Sequence, residues 1–348
     1  MYGEVKANRV SPFGLNDPRE GERKIISDPQ DPEASKSGWH DIQWDANTTW
    51  GNNIEAGGVF QDGLVRRPRS DTLDFQFPYE PDTGVPNDYL DAAVTQIFYT
   101  TNMLHDLYYI LGFTPAAGNF QENNHGEGGL DSDPVRIIIQ YWGDRNNGYF
   151  EQNPDGITPY LTMLLFDFTD PMRDGGFDNG FVIHEYTHGC RYPDESFSDM
   201  HLLTGIVSDR LTGGPAASGC LNAWEADGMA EGWSDLYAAA LTIKPEETRD
   251  NATYGFAAWA TNSTNPPTAR RVMYSTNLEI NDWTYSKIDD LTRVHEVGTV
   301  WATMLYEVLW NLIDKHGKND KPRPELVDGV PTDGKFLTLQ LLTDAFAM

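Results

Sequence analysis

The stretch Phe181-Val182-Ile183-His184-Glu185-Tyr186-Thr187-His188-Gly189 decides how the rest of the chain is interpreted. Its two histidines are four residues apart, about one turn of an α-helix, so both side chains project from the same face. The apolar residues before His184 and the glycine after His188 predict a buried helix that begins near Asp178 and ends at Gly189. Fold and chemistry are both inferred outward from this helix.

Two histidines on one helix face suit Zn²⁺, which binds neutral imidazole and keeps a position for water when it has three protein ligands. The ion lowers the pKa of that water toward ~7, and a neighbouring carboxylate can accept the proton. His184 and His188 are therefore predicted as zinc ligands and Glu185 as the general base. Such a pattern arises by chance on the order of 1% of the time in a chain of this size, so two unrelated surface histidines are disfavoured.

A third ligand is sought among the acidic residues downstream. A helix is predicted to start at about Ala230, so that Glu231 opens it and Asp235 follows one turn later on the same face. One carboxylate can bind the metal while the other holds a ligand histidine by its second ring nitrogen. On spacing alone, an acidic pair on an exposed helix face is as good an interpretation as a metal ligand with its supporting carboxylate.

The distribution of apolar residues predicts an α+β fold with two lobes and a cleft between them. Residues 1–178 form the predicted strand-rich N-terminal lobe, with one long helix from Asp88 to Gly112 and strands at 135–139 and 161–166. Residues 179–348 form the predicted helical lobe that carries the zinc site, including a helix from about Val297 to His316. His105, on the long helix, is interpreted as a structural histidine.

Composition excludes several classes of function. A formal net charge of −28 argues against nucleic acid as a partner and against an anionic membrane surface. No run approaches the ~18 apolar residues that span a bilayer. Cys190 and Cys220 are the only cysteines, so a disulfide framework is excluded. Many Asp and Asn residues in loops would suit calcium, but no D-x-[DN]-x-[DN]-G loop is present and calcium is not assigned.

Four further segments resemble motifs of a known protein family. They are Asn16-Asp17-Pro18, His105-Asp106-Leu107, Arg210-Leu211-Thr212-Gly213-Gly214-Pro215 and Glu231-Gly232-Trp233-Ser234-Asp235. Together with residues 184–189 they resemble the fungalysin family of fungal extracellular metalloproteases, relatives of thermolysin. The resemblance implies a two-lobed, thermolysin-like, secreted zinc endopeptidase that acts on proteins and peptides. It implies one zinc ion per chain, held by His184, His188 and Glu231, with Glu185 as base.

The resemblance also assigns roles to residues that spacing does not identify. It implies that Asp235 orients His184 and that His295 stabilises the oxyanion formed at the scissile carbonyl. On its residues alone, His295 is only part of a His-Glu pair before a helix. Arg270 or Arg271 is expected to contact the substrate backbone, as is Asn147, for which a role in a turn is equally open.

Three departures from the family pattern leave alternatives open. Residues 190–206 look like a non-family insertion, for which we hypothesise a retained intron; a mature transcript that contains the segment would contradict this. Family members carry a secretion signal and a pro-segment, and this chain begins near their mature domain and stops short of their last helices. A catalytically inactive family member and a zinc exopeptidase of the same wider clan therefore remain alternatives.

Overall fold

Strands dominate the first half of the chain and helices the second, in a computed structural model that describes residues 7–40, 47–80, 83–151, 153–187, 207–215, 221 and 223–347. The strands are β1 (Ala7–Val10), β2 (Lys24–Ile26), β3 (Ile54–Val59), β4 (Val65–Arg66), β5 (Asp74–Phe75), β6 (Val135–Tyr141), β7 (Gly148–Glu151), β8 (Tyr160–Phe166), β9 (Arg173–Asp174), β10 (Leu326–Val327) and β11 (Val330–Pro331). The helices are α1 (Leu90–Ile110), α2 (Asn179–Thr187), α3 (Val207–Gly213), α4 (Trp224–Leu241), α5 (Val294–His316) and α6 (Gly334–Phe346). This order confirms the predicted α+β class. The lobe boundary between residues 178 and 179 stays a prediction.

The main sheet contains the two strands that were predicted from apolar runs. Its order is β4-β3-β6-β8-β7, with β9 paired to β8. β3, β6 and β8 are parallel, whereas β4 and β7 pair antiparallel at the edges. Burial alternates along β6, as expected for a strand covered more fully on one face than on the other.

The long helix α1 lies between this sheet and the helical half of the chain. It packs against β3 on one side and against α2 on the other. Because it is covered on both sides, nearly all of its side chains are buried. The ring nitrogens of His105 lie 3.2 Å from Asp106 Oδ1 and 3.4 Å from Asn119 Nδ2. These contacts agree with a structural role for His105.

Contacts with α1 hold both ends of α2, the helix that carries His184. Asn179 Oδ1 accepts a hydrogen bond from Thr100 Oγ1 at 3.0 Å, and the hydroxyl of Tyr108 bonds to that of Thr187. Asp178 precedes the helix and accepts the Phe181 backbone N–H at 3.2 Å, which satisfies one of the free donors of the first turn. The predicted start near Asp178 is confirmed, and the predicted end at Gly189 lies outside the described residues.

Two helices begin earlier than the apolar periodicity predicts. Helix α4 begins at Trp224, so the expectation that Glu231 opens this helix is wrong. Acidic residues in its first turn and Gly228 hide the apolar pattern there, although acidic side chains favour a helix N-terminus. Helix α5 begins at Val294, which places His295 inside the first turn rather than before the helix.

The buried apolar side chains of both halves join in one large cluster, which extends from Val10 to Phe346. A second, smaller cluster forms around Leu291, Val297 and Val300 at the start of α5. No helix within the described ranges is both long and apolar enough to cross a membrane.

Candidate active site

His184 on α2 and Glu231 on α4 bring a ring nitrogen and a carboxylate oxygen together in the interior. His184 Nε2 lies 3.5 Å from Glu231 Oε2, and the two residues are 2% and 1% exposed. Two such ligand atoms on a tetrahedral zinc ion, each ~2.0–2.2 Å from the metal, would be about 3.4 Å apart. The separation therefore suits a shared metal ion, and the imidazole–carboxylate donor set is one that zinc accepts.

The second nitrogen of His184 faces Asp235. The Nδ1 atom lies 2.8 Å from Asp235 Oδ1, so the carboxylate fixes the ring orientation and turns Nε2 toward Glu231. Burial lowers the pKa of His184 to about 4, although Asp235 opposes this change. The imidazole is therefore neutral near pH 7, the form that binds metals. The ring of Phe256 lies against it, with ring centroids 4.6 Å apart.

Asp235 is the centre of a buried network of hydrogen-bond donors. Arg270 donates to it through Nε at 2.8 Å and Nη2 at 2.9 Å, and the Tyr274 hydroxyl also donates to it. Burial acts to raise the pKa of Asp235, but the guanidinium of Arg270 and the ring of His184 together lower it below its usual value. Asp235 is thus an anion in the interior, held by paired donors.

Two further residues among those described contact Glu231. Arg270 Nη2 lies 3.2 Å from its Oε2, and His295 Nε2 lies 3.1 Å from its Oε1. His295 is half exposed, so its ring joins the buried carboxylate to the solvent-facing side of the site. Glu185, next to His184 on α2, is 4% exposed. The exposed-pair alternative for Glu231 and Asp235 is wrong, because both carboxylates are buried.

Three glycines let α4 and α5 approach each other closely at the level of Glu231. A Cβ on Gly298 would lie 2.6 Å from Glu231 Cβ and 2.8 Å from the carbonyl oxygen of Gly228. A Cβ on Gly232 would lie 2.6 Å from the carbonyl oxygen of Gly298. These separations are too short for real Cβ contacts, so any side chain here must push the helices apart.

Substitution Gly298→Ala is therefore expected to destabilise the protein, although alanine normally favours a helix by about 1 kcal/mol relative to glycine. Overpacking a close contact costs about 1–3 kcal/mol, and here most of the opposing atoms are backbone. Unfolding in urea would measure the loss. Met304→Ala is the control, since Met304 is exposed on the same helix. A Gly298→Ala variant as stable as the parent would contradict the close helix contact.

Three predicted site residues lie elsewhere or outside the described residues. His188, like the segment 190–206 and both cysteines, is not among the described residues. Among those that are described, no three His, Cys, Asp or Glu side chains form a group that could hold a metal ion. Arg271 pairs with Glu296 at 2.5 Å, and Asn147 is exposed directly before the edge strand β7. Neither makes a hydrogen bond or ion pair to His184, Glu231 or Asp235 within the described ranges.

The sequence did not identify two residues of this site. Tyr274 donates to Asp235, and Phe256 contacts both the ring of His184 and the guanidinium of Arg270, which lies 4.2 Å from the Phe256 ring centroid. Both lie in irregular segments, where no periodicity marks a side chain that points inward. The one local indication that Tyr274 belongs to the site is its position four residues after Arg270, and this indication is weak.

Comparison with known sequences identifies the family of this chain. The sequence model of the family described as "Fungalysin metallopeptidase (M36)" matches residues 7–192 and 194–348. The two matched stretches are separated at residue 193, inside the segment predicted as an insertion. Whether that segment is a retained intron or a loop stays a prediction.

Curated relatives carry names that fit the family. The chain is 46% identical over 349 residues to "Extracellular metalloproteinase 9" of Coccidioides posadasii, which covers 98% of this chain and 51% of the relative. It is 46% identical over 345 residues to "Extracellular metalloproteinase mep" of Aspergillus fumigatus, with the same coverage. It is 44% identical over 354 residues to "Extracellular metalloproteinase MEP" of Leptosphaeria maculans, covering 100% of this chain and 53% of the relative. The chain thus spans about half the length of these relatives, and it belongs to the fungalysin family of metallopeptidases.

Proposed function

We propose that this chain is a zinc-dependent metalloendopeptidase that hydrolyses internal peptide bonds of proteins. The observation that carries the proposal is the buried pair of His184 Nε2 and Glu231 Oε2, 3.5 Å apart, with Asp235 behind the histidine. His184, Glu231 and His188 would hold the ion. When bound, zinc polarises the scissile carbonyl and lowers the pKa of water toward ~7.

Glu185 would act as the general base. It follows His184 directly on α2, so its carboxylate is fixed to the same rigid helix as the first ligand. In the proposed reaction it accepts a proton from the attacking water, whose oxygen forms the new bond to the carbonyl carbon. The proton then passes to the amine as the C–N bond breaks, which leaves Glu185 ionised for the next cycle.

His295 would stabilise the negative charge that develops on the carbonyl oxygen. It lies in the first turn of α5, it is half exposed, and its Nε2 reaches Glu231. A donor placed there can contact both the ligand sphere and a substrate in the cleft. Arg270 would act mainly through Asp235 and Glu231, both of which it contacts, rather than through the substrate backbone.

The remaining partners and the location follow from the family. The relatives are named extracellular metalloproteinases, which supports a secreted enzyme with protein and peptide substrates. We propose that a pro-segment precedes this part of the protein, as in the family. Asn147, exposed before the edge strand β7, and Arg271, which pairs with Glu296, are proposed to contact the substrate.

Cleavage of casein by the purified chain, with and without a zinc chelator, tests the proposal. We expect internal fragments that disappear on chelation and return when zinc is added, together with about one zinc ion per chain. Peptides blocked at both ends should also be cut, which an exopeptidase cannot do. A folded, zinc-loaded protein that leaves casein intact would identify an inactive family member. Cleavage that survives complete removal of metal would contradict the mechanism.

A further inference from the structure

A cavity lies away from the candidate active site, at the C-terminal end of α4. Its volume is about 410 Å³, within the range of small-molecule sites. Its walls are largely apolar and include Phe13, Leu15, Ile26, Tyr99, Leu241 and Pro322. Leu241 is ten residues beyond Glu231 on the same helix, a rise of roughly 15 Å. The cavity is therefore not an extension of the metal site.

Lys335 is a buried cation on the wall of this cavity. It is the second residue of α6 and only 6% exposed. Its ammonium makes no hydrogen bond or ion pair to any residue that the structure describes; its nearest aromatic contact is the Phe336 ring, 4.4 Å from Nζ to the centroid. The side chain as a whole is buried, but Nζ is not among the fully buried atoms that lack a hydrogen-bond partner, so the ammonium keeps access to the solvent of the cavity. The side chain thus offers an unused positive charge to whatever enters the cavity.

Three charged residues act on Lys335 without forming an ion pair with it. Asp333 and Asp320 attract the ammonium and Lys318 repels it, but burial dominates and lowers the pKa of Lys335 to about 8. Asp333 caps α6 through Oδ1, which accepts the Phe336 backbone N–H at 3.1 Å, and its Oδ2 makes no hydrogen bond to the described residues. The amine is still mostly protonated near pH 7, because its pKa remains above that value.

The other charged residues on the cavity wall are mostly basic. The wall contains Lys24, Lys244 and Lys321 as well as Lys335, against Asp320 as its acidic residue. Lys244 and Lys321 already pair with acidic side chains, and Lys24 is exposed. Such a concentration of cations is notable in a chain whose net charge is −28. The positive end of the α6 helix dipole adds to it.

We propose that this cavity binds a small carboxylate that carries an apolar substituent. The carboxylate would pair with Lys335, and the substituent would contact the wall formed by Phe13, Leu15 and Leu241. A fatty acid and the C-terminal carboxylate of a peptide share this chemistry. The site differs from the candidate active site in position, in charge and in the absence of a metal requirement.

Calorimetric titration of the whole chain with paired probes tests this proposal. Octanoate represents a fatty acid and N-acetylleucine represents a peptide C-terminus; octanamide and N-acetylleucinamide are their neutral counterparts. We expect saturable binding of at least one carboxylate near pH 7, at least tenfold tighter than its amide. Whichever carboxylate binds more tightly identifies the source. Equal binding of acid and amide, or tighter binding of inorganic phosphate than of both acids, would overturn the proposal.

Lys335→Met retains the length and apolar body of the side chain and removes the charge. We expect it to weaken carboxylate binding at least tenfold, whereas Lys321→Met, on the same wall, changes it less than threefold. The Lys335→Met chain should fold with a Tm close to that of the parent, since the ammonium that it loses makes no ion pair or hydrogen bond to the described residues and methionine fills the same space. Unchanged binding by Lys335→Met, or an equal loss in both variants, would refute the assignment.

The pH dependence provides an independent measurement. Because the protonated amine is the binding form, carboxylate affinity should fall as the pH rises from 7 to 9 through the pKa of Lys335. The Lys335→Met variant should show no such fall over this range. A parent protein whose affinity stays constant between pH 7 and pH 9 would exclude Lys335 as the partner of the carboxylate.

Discussion

Glu185→Gln is expected to lower kcat for casein or a blocked peptide on the order of 10²–10⁴-fold, the usual contribution of a positioned general base. The amide is almost the same size as the carboxylate and cannot accept the proton of the attacking water. KM should change little, because the substitution alters neither the proposed ligands nor the substrate-contacting residues. Steady-state kinetics on the zinc-loaded variant would measure both constants.

Two controls separate loss of chemistry from loss of structure. Zinc content of the Glu185→Gln variant should remain at one ion per chain, because Glu185 is not a proposed ligand. Glu279→Gln makes the same chemical change at an exposed position and should retain the kcat of the parent. A Glu185→Gln enzyme that keeps more than a tenth of the parent's kcat would exclude Glu185 as the base.

The sequence predicts the first part of the site well because the decisive information is local. Residues one helical turn apart share a face, so His184 and Glu185 could be placed on a buried helix without any knowledge of the rest of the fold. The start of α2 is also encoded locally, since Asp178 caps the helix that follows it. Strands β6 and β8 were predicted for a similar reason, because long β-branched or apolar runs suit buried strands.

The meeting of α2 with α4 could not be predicted from spacing. Glu231 and Asp235 form an i, i+4 pair that would look the same on an exposed helix. What distinguishes them is the approach of α5, which the three glycines Gly228, Gly232 and Gly298 permit. In the sequence such glycines suggest loops or helix ends, and Gly228, together with the acidic residues before it, caused the start of α4 to be placed too late.

The partners of Asp235 could not be predicted from local sequence patterns. Arg270 or Arg271 was expected to contact the substrate backbone, which stays a prediction; the side chain of Arg270 is 9% exposed and pairs with Asp235 and Glu231. It comes from an irregular segment 35 residues downstream of Asp235, and such long-range pairing depends on the completed fold. The burial of Lys335 was not predicted either, because a lysine near the start of a helix usually has a solvated side chain.

The position of Asp235 among its partners predicts two separable effects for Asp235→Asn. Losing the anion leaves the buried guanidinium of Arg270 without its main counter-ion, and breaking one side of a buried pair costs about 3–5 kcal/mol of unfolding free energy. Replacing the carboxylate that faces His184 Nδ1 with a neutral amide, which is a weaker acceptor, should also weaken zinc binding about 10–100-fold, as changes to a partner behind a ligand histidine typically do. Chemical unfolding of the metal-free protein and competition with a chelator would measure the two losses.

A double variant distinguishes these effects. Asp235→Asn combined with Arg270→Gln removes both charges, so the metal-free protein should recover much of the stability lost by Asp235→Asn alone. Zinc affinity should stay low in the double variant, since His184 still lacks its carboxylate. Asp250→Asn, at an exposed position, should change neither quantity. If zinc affinity returned together with stability, Asp235 would support the fold only, and another group would have to orient His184. If instead Asp235→Asn bound zinc as tightly as the parent, the 2.8 Å contact between Asp235 and His184 would have no part in holding the metal.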